Sequence, residues 1–292
     1  MSEIINMQRN NTMPLVSIIT VCYNSVKTLE QTIQSVINQT YSNIEYVIID
    51  GGSTDGTVDI IKKYEDKIAY WISEPDKGIY DAMNKGIIKS TGEIVGILNS
   101  DDWYHRNAVS NAVFSFIEKK CDLVHGDIIR VSIIGEMIYL YPPDMNKQNI
   151  WHGTIYRHPT CFVKKSVYEN FGLYSTNYII AGDYELLLRF HVANLNFCYN
   201  NNIIVYMRIG GISTNKHLGF QEVRNISIKY GYSSVKANLW MHYNILRSGK
   251  LSLRGLGLEK LARFKNKVLK YTEFPEPVNM LNSINRNNCN DR

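Results

Sequence analysis

Four short, mainly apolar runs separated by helical patterns constrain the fold of this chain more than any other feature. The runs are Val16–Val21, Ile44–Ile49, Ile68–Ile72 and Ile94–Leu98. They are rich in β-branched residues and show little polar alternation, which is typical of strands buried on both faces. Between them, apolar residues recur at helical spacing, as in the segment from 26 to 37. The pattern predicts an α/β fold with a parallel sheet covered by helices.

Polar side chains follow each of the four runs, at the point where the predicted strand ends. They are Tyr23 and Asn24, Asp50, Glu74 and Asp76, and the pair Asp101 and Asp102. Ligands of open parallel sheets bind at the carboxyl ends of the strands. The sequence therefore predicts a binding site along this edge.

The acidic pair Asp101 and Asp102 indicates a metal site. Two adjacent carboxylates after a buried strand are costly unless something compensates their charge. Mg²⁺ and similar hard cations do so, and they prefer oxygen ligands, commonly one or two carboxylates plus substrate phosphates. The alternative is that the pair caps a helix predicted from Asn107 to Lys119, since acidic residues favour helix N-termini.

Two further segments indicate a nucleotide site. Asp50 opens the glycine-rich turn from 50 to 57, where it could accept a hydrogen bond from the imide N–H of uracil, or the turn could be an ordinary connection with Ser53 or Thr54 as a helix cap. Beyond Lys77, a helix is predicted that starts at the same edge. A helix N-terminus with a nearby lysine suits a diphosphate.

Four segments in this order resemble family 2 glycosyltransferases with the GT-A fold. They are Val16-Ser-Ile-Ile-Thr-Val-Cys-Tyr-Asn, Asp50-Gly-Gly-Ser-Thr-Asp-Gly-Thr, Glu74-Pro-Asp-Lys-Gly-Ile-Tyr-Asp-Ala-Met-Asn-Lys-Gly and Gly92-Glu-Ile-Val-Gly-Ile-Leu-Asn-Ser-Asp-Asp. The resemblance covers residues 14–110. It implies a Rossmann-like nucleotide-binding half joined to an acceptor-binding half, and inverting transfer of a hexose-type sugar from a UDP-sugar with Mn²⁺ or Mg²⁺.

The resemblance implies roles for individual residues on the donor side. The donor-binding candidates are Tyr23, Asp50, Lys77, Asp81, Asn84 and Asp101. Tyr23 would pack near the base, Asp50 would bind uracil, and Asp101 with Asp102 would bind the metal. One departure concerns Asn99, which stands where the family usually has its first Asp. It keeps an oxygen but lacks the charge, so the number of protein–metal bonds stays open.

A second resemblance, to the acceptor half of polysaccharide-building members, lies downstream. Arg157-His-Pro-Thr-Cys-Phe-Val-Lys-Lys and Ala181-Gly-Asp-Tyr-Glu-Leu-Leu-Leu-Arg carry it. It implies that Asp183 is the general base that takes the proton of the acceptor hydroxyl. The alternatives are that Asp183 only caps the helix, or that Glu185 is the base. His158 is a candidate contact of the acceptor or the diphosphate, or it is a packed, hydrogen-bonded histidine. His217 is a candidate contact of the metal or the leaving group, or it follows an ordinary mobile glycine-rich loop.

The second half also has predicted elements of its own. We expect a hairpin from 122–131 and 136–141, a helix from 181 to 192, and a short strand from 203 to 207. The predicted organisation is a flexible terminus at 1–13 and a GT-A domain at 14–215. That domain would divide into halves at 14–106 and 107–215, and residues 216–292 would form a basic, mostly helical extension.

Charge is distributed unevenly along the chain. Residues 1–215 carry 18 Lys and Arg against 22 Asp and Glu, whereas residues 216–292 carry 14 against 5. The segment 247–270 is basic and interleaved with leucines, which favours contact with an anionic membrane surface near a lipid-linked acceptor. An ordinary surface helix is the alternative, and no motif supports binding of nucleic acid.

The cysteines and the N-terminus predict a compartment. The five cysteines form no Cys-x-x-Cys pair, which indicates neither a disulfide framework nor a zinc site. No apolar run approaches the roughly 20 residues of a membrane span, and the polar start of the chain indicates no signal peptide. We therefore expect a cytoplasmic protein with reduced thiols, with peripheral contact to the inner face of the cell membrane.

Two function classes follow. The first is a glycosyltransferase of surface polysaccharide (O-antigen type) biosynthesis. Its donor would be a UDP-sugar and its acceptor a saccharide, either free or linked to polyprenyl diphosphate. The second is a non-catalytic nucleotide-sugar or glycan-binding subunit, for which Asn99 is the only support. A nicotinamide dehydrogenase is excluded, because no Gly-x-Gly-x-x-Gly follows the first strand.

Overall fold

The computed structural model describes residues 13–132, 137–140, 150–153, 156–209 and 215–248, and a nine-stranded sheet organises them. In chain order the strands are β1 Val16–Cys22, β2 Ile44–Asp50, β3 Tyr70–Ser73, β4 Ile94–Asn99, β5 Trp103–Tyr104, β6 Leu123–Val131, β7 Met137–Leu140, β8 Phe162–Lys164 and β9 Phe197–Arg208.

The first half of the sheet is parallel, as the apolar runs predict. Its order is β3-β2-β1-β4. The register places Cys22 beside Asp50 and Val21 beside Asn99, so the strand ends align. The predicted polar edge is thereby formed.

The second half adds strands of mixed direction. β8 is antiparallel to β4 and β6 is antiparallel to β8, whereas β9 runs parallel to β6. β9 therefore runs in the same direction as β4, and its last residue, Arg208, reaches the edge where β4 ends. β5 pairs with β9, and the predicted hairpin of β6 and β7 is confirmed.

Eight α-helices are described. They are α1 Leu29–Ile37, α2 Thr57–Lys63, α3 Ile79–Lys89, α4 Ala108–Lys119, α5 Lys165–Phe171, α6 Gly182–Val192, α7 Lys216–Lys229 and α8 Ser234–Ser248. They cover both faces of the sheet: α1 and α4 pack on one cluster of buried apolar residues, and α3 and α6 pack on the other. The α/β class with a sheet covered on both faces is confirmed.

The predicted helix caps are wrong. α2 begins at Thr57, downstream of Ser53 and Thr54, and its N-cap Gly56 makes no side-chain cap bond. Instead, Ser53 Oγ accepts from Asn24 N at 2.7 Å and donates to Asp50. These polar side chains join the loops that follow β1 and β2 to each other.

The C-terminal helices are present as predicted, and α7 packs on α6. Ile226 of α7 is buried with Tyr184 and Leu188 of α6. The unit that contains the sheet extends to Met241, so it includes α7. Of the predicted basic segment 247–270, everything after residue 248 lies outside the described residues. Among the helices that are described, none has the length and apolarity to cross a membrane.

The expectation of reduced thiols is wrong for one pair. Cys121, just before β6, and Cys198 in β9 form a disulfide between neighbouring strands. Cys22 and Cys161 are free and buried. Cys289 lies outside the described part of the chain.

Candidate active site

The acidic pair lies directly after β4, at the carboxyl edge of the sheet. Asp102 is 2% exposed, and its Oδ1 accepts a hydrogen bond from Arg208 N at 3.1 Å. The pKa of Asp102 is raised well above its usual range, mainly by burial and secondly by the negative charge of Asp101. Burial also raises the pKa of Asp101. The helix-cap alternative fails, because α4 begins at Ala108 and Asn107 precedes it.

Asn99 supplies a further oxygen at the same edge. Its Oδ1 is buried and has no hydrogen-bond partner among the described residues. A buried acceptor without a partner costs about 1–3 kcal/mol. No group of three His, Cys, Asp or Glu in the described ranges could hold a metal, so a cation here would need Asn99 or the donor's phosphates beside the carboxylates. Two costly carboxylates and an unpaired amide oxygen fit a hard divalent cation.

Arg208 joins this edge although the sequence did not indicate it. Its Nη1 donates to Asp101 O at 2.6 Å, and its guanidinium lies 4.6 Å from the Trp103 ring centroid. Trp103 in turn stacks on Tyr206 at 5.2 Å. The pairing of β5 with β9 brings these residues together, and that pairing cannot be read from the sequence. The site therefore combines two carboxylates with the guanidinium of Arg208, which these contacts hold in place.

Asp50 is placed differently from a free base-binding group. It is 0% exposed, and its carboxylate oxygens accept hydrogen bonds from the backbone and side chains of the following loop and of β3. The nitrogen and oxygen donors are Gly52 N at 3.1 Å, Ser53 N at 2.8 Å, Ser53 Oγ at 2.5 Å and Ser73 Oγ at 2.6 Å, and the Cys22 thiol of β1 donates at 3.4 Å. In this conformation Asp50 shapes the loop, and its predicted contact with uracil stays a prediction.

Asp76 and Tyr23 lie next to this loop and are less buried than Asp50. Tyr23 is 65% exposed, so its ring is accessible to a ligand at this edge. A Cβ at Gly51 would come within 2.6 Å of Asp76 Oδ2 and 3.4 Å of the Tyr23 ring. The absence of a side chain at Gly51 therefore lets a carboxylate and an aromatic face meet at this edge.

The predicted diphosphate side lies at the start of α3. Asp81 Oδ2 accepts from Lys77 N at 3.0 Å and pairs with Lys85 Nζ at 3.7 Å, while the Lys77 side chain is exposed. Asn84 is engaged elsewhere: its Nδ2 donates to Tyr174 O and its Oδ1 accepts from Tyr174 N, both at 2.9 Å. Asn84 thus holds the segment before α6, and its role toward a donor stays a prediction.

Asp183 occupies the first turn of α6. Burial raises the pKa of its carboxyl, and the nearby His158 acts in the opposite direction. His158 is itself buried, with Nε2 2.6 Å from the Tyr174 hydroxyl. Ala181 is the N-cap of α6, and Asp183 Oδ1 accepts from Tyr184 N within the first turn, so Asp183 is not the N-cap. A carboxyl with a raised pKa is a stronger base than a free one.

The alternative base, Glu185, is bound by other side chains. It is 2% exposed and pairs with Arg189 Nη2 at 3.0 Å, while Tyr230 OH donates to it at 2.5 Å. Its carboxylate therefore joins α6 to α7 and is not available to a substrate. His217 is exposed in the first turn of α7.

A surface groove of about 560 Å³ lies elsewhere. It is lined by α4 and by Tyr199–Asn202 of β9. These residues belong to the start of β9, and Arg208 at its end lies beside the acidic pair. The groove is therefore at the opposite edge of the sheet and is no part of the candidate active site.

The sequence relatives of this chain are named as glycosyltransferases. The model of the family described as "Glycosyl transferase family 2" matches residues 17–172. A glycosyltransferase of Mycobacterium tuberculosis is 33% identical over 179 residues, which are 60% of this chain and 68% of the relative. A PGL/p-HBAD biosynthesis glycosyltransferase of Mycobacterium bovis is 29% identical over 215 residues, covering 70% and 78%.

Solved structures share the fold. Residues 1–349 of S. aureus TarS in complex with UDP match with a TM-score of 0.58 and 18% identity, over 78% of this chain and 69% of that one. The mannosyltransferase PcManGT from Pyrobaculum calidifontis, in complex with GDP-Man and Mn²⁺, matches with a TM-score of 0.62 and 18% identity, over 85% and 80%.

Proposed function

Because the chain belongs to glycosyl transferase family 2 and is a glycosyltransferase of the GT-A fold, we propose that it moves a hexose-type sugar from a UDP-sugar to a saccharide acceptor with inversion. The observation that supports this most is the placement of Asp183. Tyr80, in the first turn of α3, accepts from Gly182 N at 2.9 Å, so the base lies beside the helix that starts at the donor edge.

The proposed reaction is a direct displacement. Asp183 accepts the proton of the acceptor hydroxyl while its oxygen attacks C1 of the donor sugar. The bond from C1 to the diphosphate oxygen breaks on the opposite face, and the electron pair leaves with UDP, so the anomeric configuration inverts. Asp183 then releases the proton to solvent, and no covalent intermediate forms.

The donor side holds the leaving group. Asp101, Asp102 and Asn99 would hold a divalent cation, Mn²⁺ or Mg²⁺, which supplies positive charge for the leaving diphosphate when it is bound. Lys77 and the N-terminus of α3 add positive potential beside it. Tyr23 stacks on the uracil ring of the donor, and Asp50 or Asp76 accepts a hydrogen bond from the uracil imide N–H.

The acceptor is proposed to be lipid-linked, in the synthesis of a surface glycan. A relative named for PGL/p-HBAD biosynthesis supports a role in glycan synthesis. The basic, leucine-rich segment 247–270 supports peripheral contact with the inner face of the cell membrane, where a polyprenyl-diphosphate-linked saccharide would lie. His158 and His217 are proposed contacts of the acceptor or the leaving group.

A donor and acceptor screen tests this function. The full chain is incubated with Mn²⁺, a panel of UDP-sugars and GDP-mannose, and a lipid-diphosphate-linked sugar, with and without EDTA. We expect UDP release and a product of inverted configuration by NMR, only with acceptor and metal. Transfer from GDP-mannose alone contradicts the proposed donor, and UDP binding without any transfer favours a non-catalytic subunit.

Replacement of Tyr23 by Ala is expected to weaken UDP binding. Stacking of a base on an aromatic ring contributes about 1–3 kcal/mol, which corresponds to a Kd raised roughly 5- to 150-fold. Calorimetric titration with UDP measures it, with Tyr243→Ala, another exposed tyrosine, as the control. An unchanged Kd contradicts the stacking role. Asp76→Asn in the same assay tests which carboxylate binds uracil. UDP binding should weaken if Asp76 contacts the uracil directly, and it should stay unchanged if Asp50 does.

A further inference from the structure

Four consecutive backbone N–H groups lead into Asp183, and side chains from outside the segment bind all of them. Glu222 of α7 accepts three: its Oε1 accepts from Ile179 N at 2.8 Å, and its Oε2 accepts from Ile180 N at 2.9 Å and Ala181 N at 2.8 Å. Glu222 is only 8% exposed. A buried carboxylate is costly unless hydrogen bonds compensate it, and here backbone N–H groups do so.

The fourth N–H, that of Gly182, is bound from the other side. It donates to the Tyr80 hydroxyl at 2.9 Å, and this hydroxyl donates to Ile180 O at 2.7 Å. Gly182 has no side chain to keep the ring away, since a Cβ there would lie 2.6 Å from the Tyr80 ring. The ring is buried and stacks on Tyr174 with 5.6 Å between centroids.

The two side chains bind the N–H groups at the entry to α6, which are those of the two residues before the N-cap, of the N-cap Ala181 and of the first helical residue Gly182. The first N–H groups of an α-helix have no partner within the helix, and a Ser, Thr, Asp or Asn at the N-cap commonly accepts from them. The N-cap of α6 is Ala181, which cannot do so. Glu222 and Tyr80 therefore fix the path of the backbone up to the residue before Asp183.

We propose that Glu222 and Tyr80 are positioning residues for Asp183. Tyr80 joins the segment before Asp183 to the first turn of α3, next to Lys77 and Asp81, and Glu222 joins that segment to α7. Neither touches the substrate. The proposal rests on the proposed function, in which Asp183 is the base, and it extends the active site to α7, beyond the residues 17–172 that the family model matches.

The test uses Glu222→Gln and Tyr80→Phe in the full-length chain. Glu222→Gln keeps the size but replaces one acceptor oxygen by an NH₂ that faces N–H groups, and Tyr80→Phe keeps the stacked ring without the hydroxyl. Since a misplacement of about 1 Å can cost about 100-fold in rate, we expect kcat to fall roughly 10- to 100-fold. Donor KM and the UDP Kd should stay within about twofold, because the donor edge is unchanged.

Two variants control for loosening of the fold. Ser227→Ala removes a buried hydroxyl of α7 that lies 2.9 Å from Tyr184 OH and donates to Trp151 O and Val223 O, outside residues 179–182. Tyr46→Phe removes a buried hydroxyl that donates to Thr20 Oγ1 at 3.1 Å, in β1. Both should keep kcat within about twofold per folded molecule, because neither contacts the segment before Asp183. Thermal unfolding of every variant gives the folded fraction.

The outcomes separate this proposal from the proposed function. If Asp183→Asn is inactive while Glu222→Gln and Tyr80→Phe keep the kcat of the unchanged protein, the positioning role is overturned and the base assignment stands. An equal fall in kcat for Ser227→Ala also overturns it, since any loosening of α7 would then suffice. Should Glu222→Gln not fold, Tyr80→Phe decides. Transfer by Asp183→Asn overturns the base assignment and this proposal together.

Discussion

Replacement of Asp183 by Asn is expected to lower the rate of sugar transfer by about 100- to 10,000-fold, the usual contribution of a general base. Asn has the same shape and can still accept from Tyr184 N, as Asp183 Oδ1 does at 2.7 Å. It cannot take a proton at neutral pH. The UDP Kd should stay within about twofold, because the donor edge lies on β1, β2 and β4. Single-turnover transfer and UDP calorimetry measure the two effects.

Glu185→Gln is the matched control, since Glu185 lies on the same helix and pairs with Arg189 and Tyr230 instead. Its loss should lower the melting temperature but leave transfer per folded molecule within about twofold. The pH dependence separates the two further. Burial raises the pKa of Asp183 above its usual value, and the base must be ionised, so transfer rises with pH through that raised pKa. This limb should vanish in Asp183→Asn, and transfer at an unchanged rate contradicts the assignment.

The predictions from local pattern were the most accurate. Apolar runs and helical spacing are properties of short segments, so the parallel direction of β1 to β4 and the aligned strand ends followed from them, but not the order of the strands. The caps failed because they depend on a contact between segments: Asp50 binds Ser53, so this serine is not free to cap α2. The disulfide failed for the same reason, because only the pairing of β6 with β9 brings Cys121 to Cys198.

The candidate site shows the same division. The acidic pair and Asp183 were identified because their motifs are contiguous in the sequence. Arg208 lies 106 residues from Asp102, and Tyr80 lies 102 residues from Gly182, so no local pattern could connect them. Glu222 gave no sequence signal either, since a single Glu in a basic amphipathic helix is typical of a solvated face. Residues that hold other residues in place are visible only when the fold is known.

Replacement of Asp102 by Asn is expected to weaken Mn²⁺ binding strongly and to lower the rate of transfer by about 100-fold or more. A bound cation stabilises the negative charge that develops on the leaving diphosphate by several kcal/mol. When a cation binds, Asp102 loses its proton and supplies a negative charge, whereas Asn offers only a neutral oxygen. Titration with Mn²⁺ followed by electron paramagnetic resonance measures binding without any turnover. Asn99→Asp is the reverse change, and we expect it to tighten Mn²⁺ binding because it adds a carboxylate beside the pair.

The stability of these variants without metal distinguishes a metal site from a structural carboxylate. The pKa of Asp102 is raised by burial, so between the unfolded and the folded pKa the folded protein binds more protons than the unfolded chain. Its stabilising share is thus present below the unfolded pKa and is lost as the pH rises through the folded pKa. At neutral pH, metal-free Asp102→Asn should therefore melt no lower than the unchanged protein. Mn²⁺ should raise the melting temperature of the unchanged protein but not of the variant. A variant that melts lower without metal, or that Mn²⁺ stabilises equally, contradicts a metal site at Asp102.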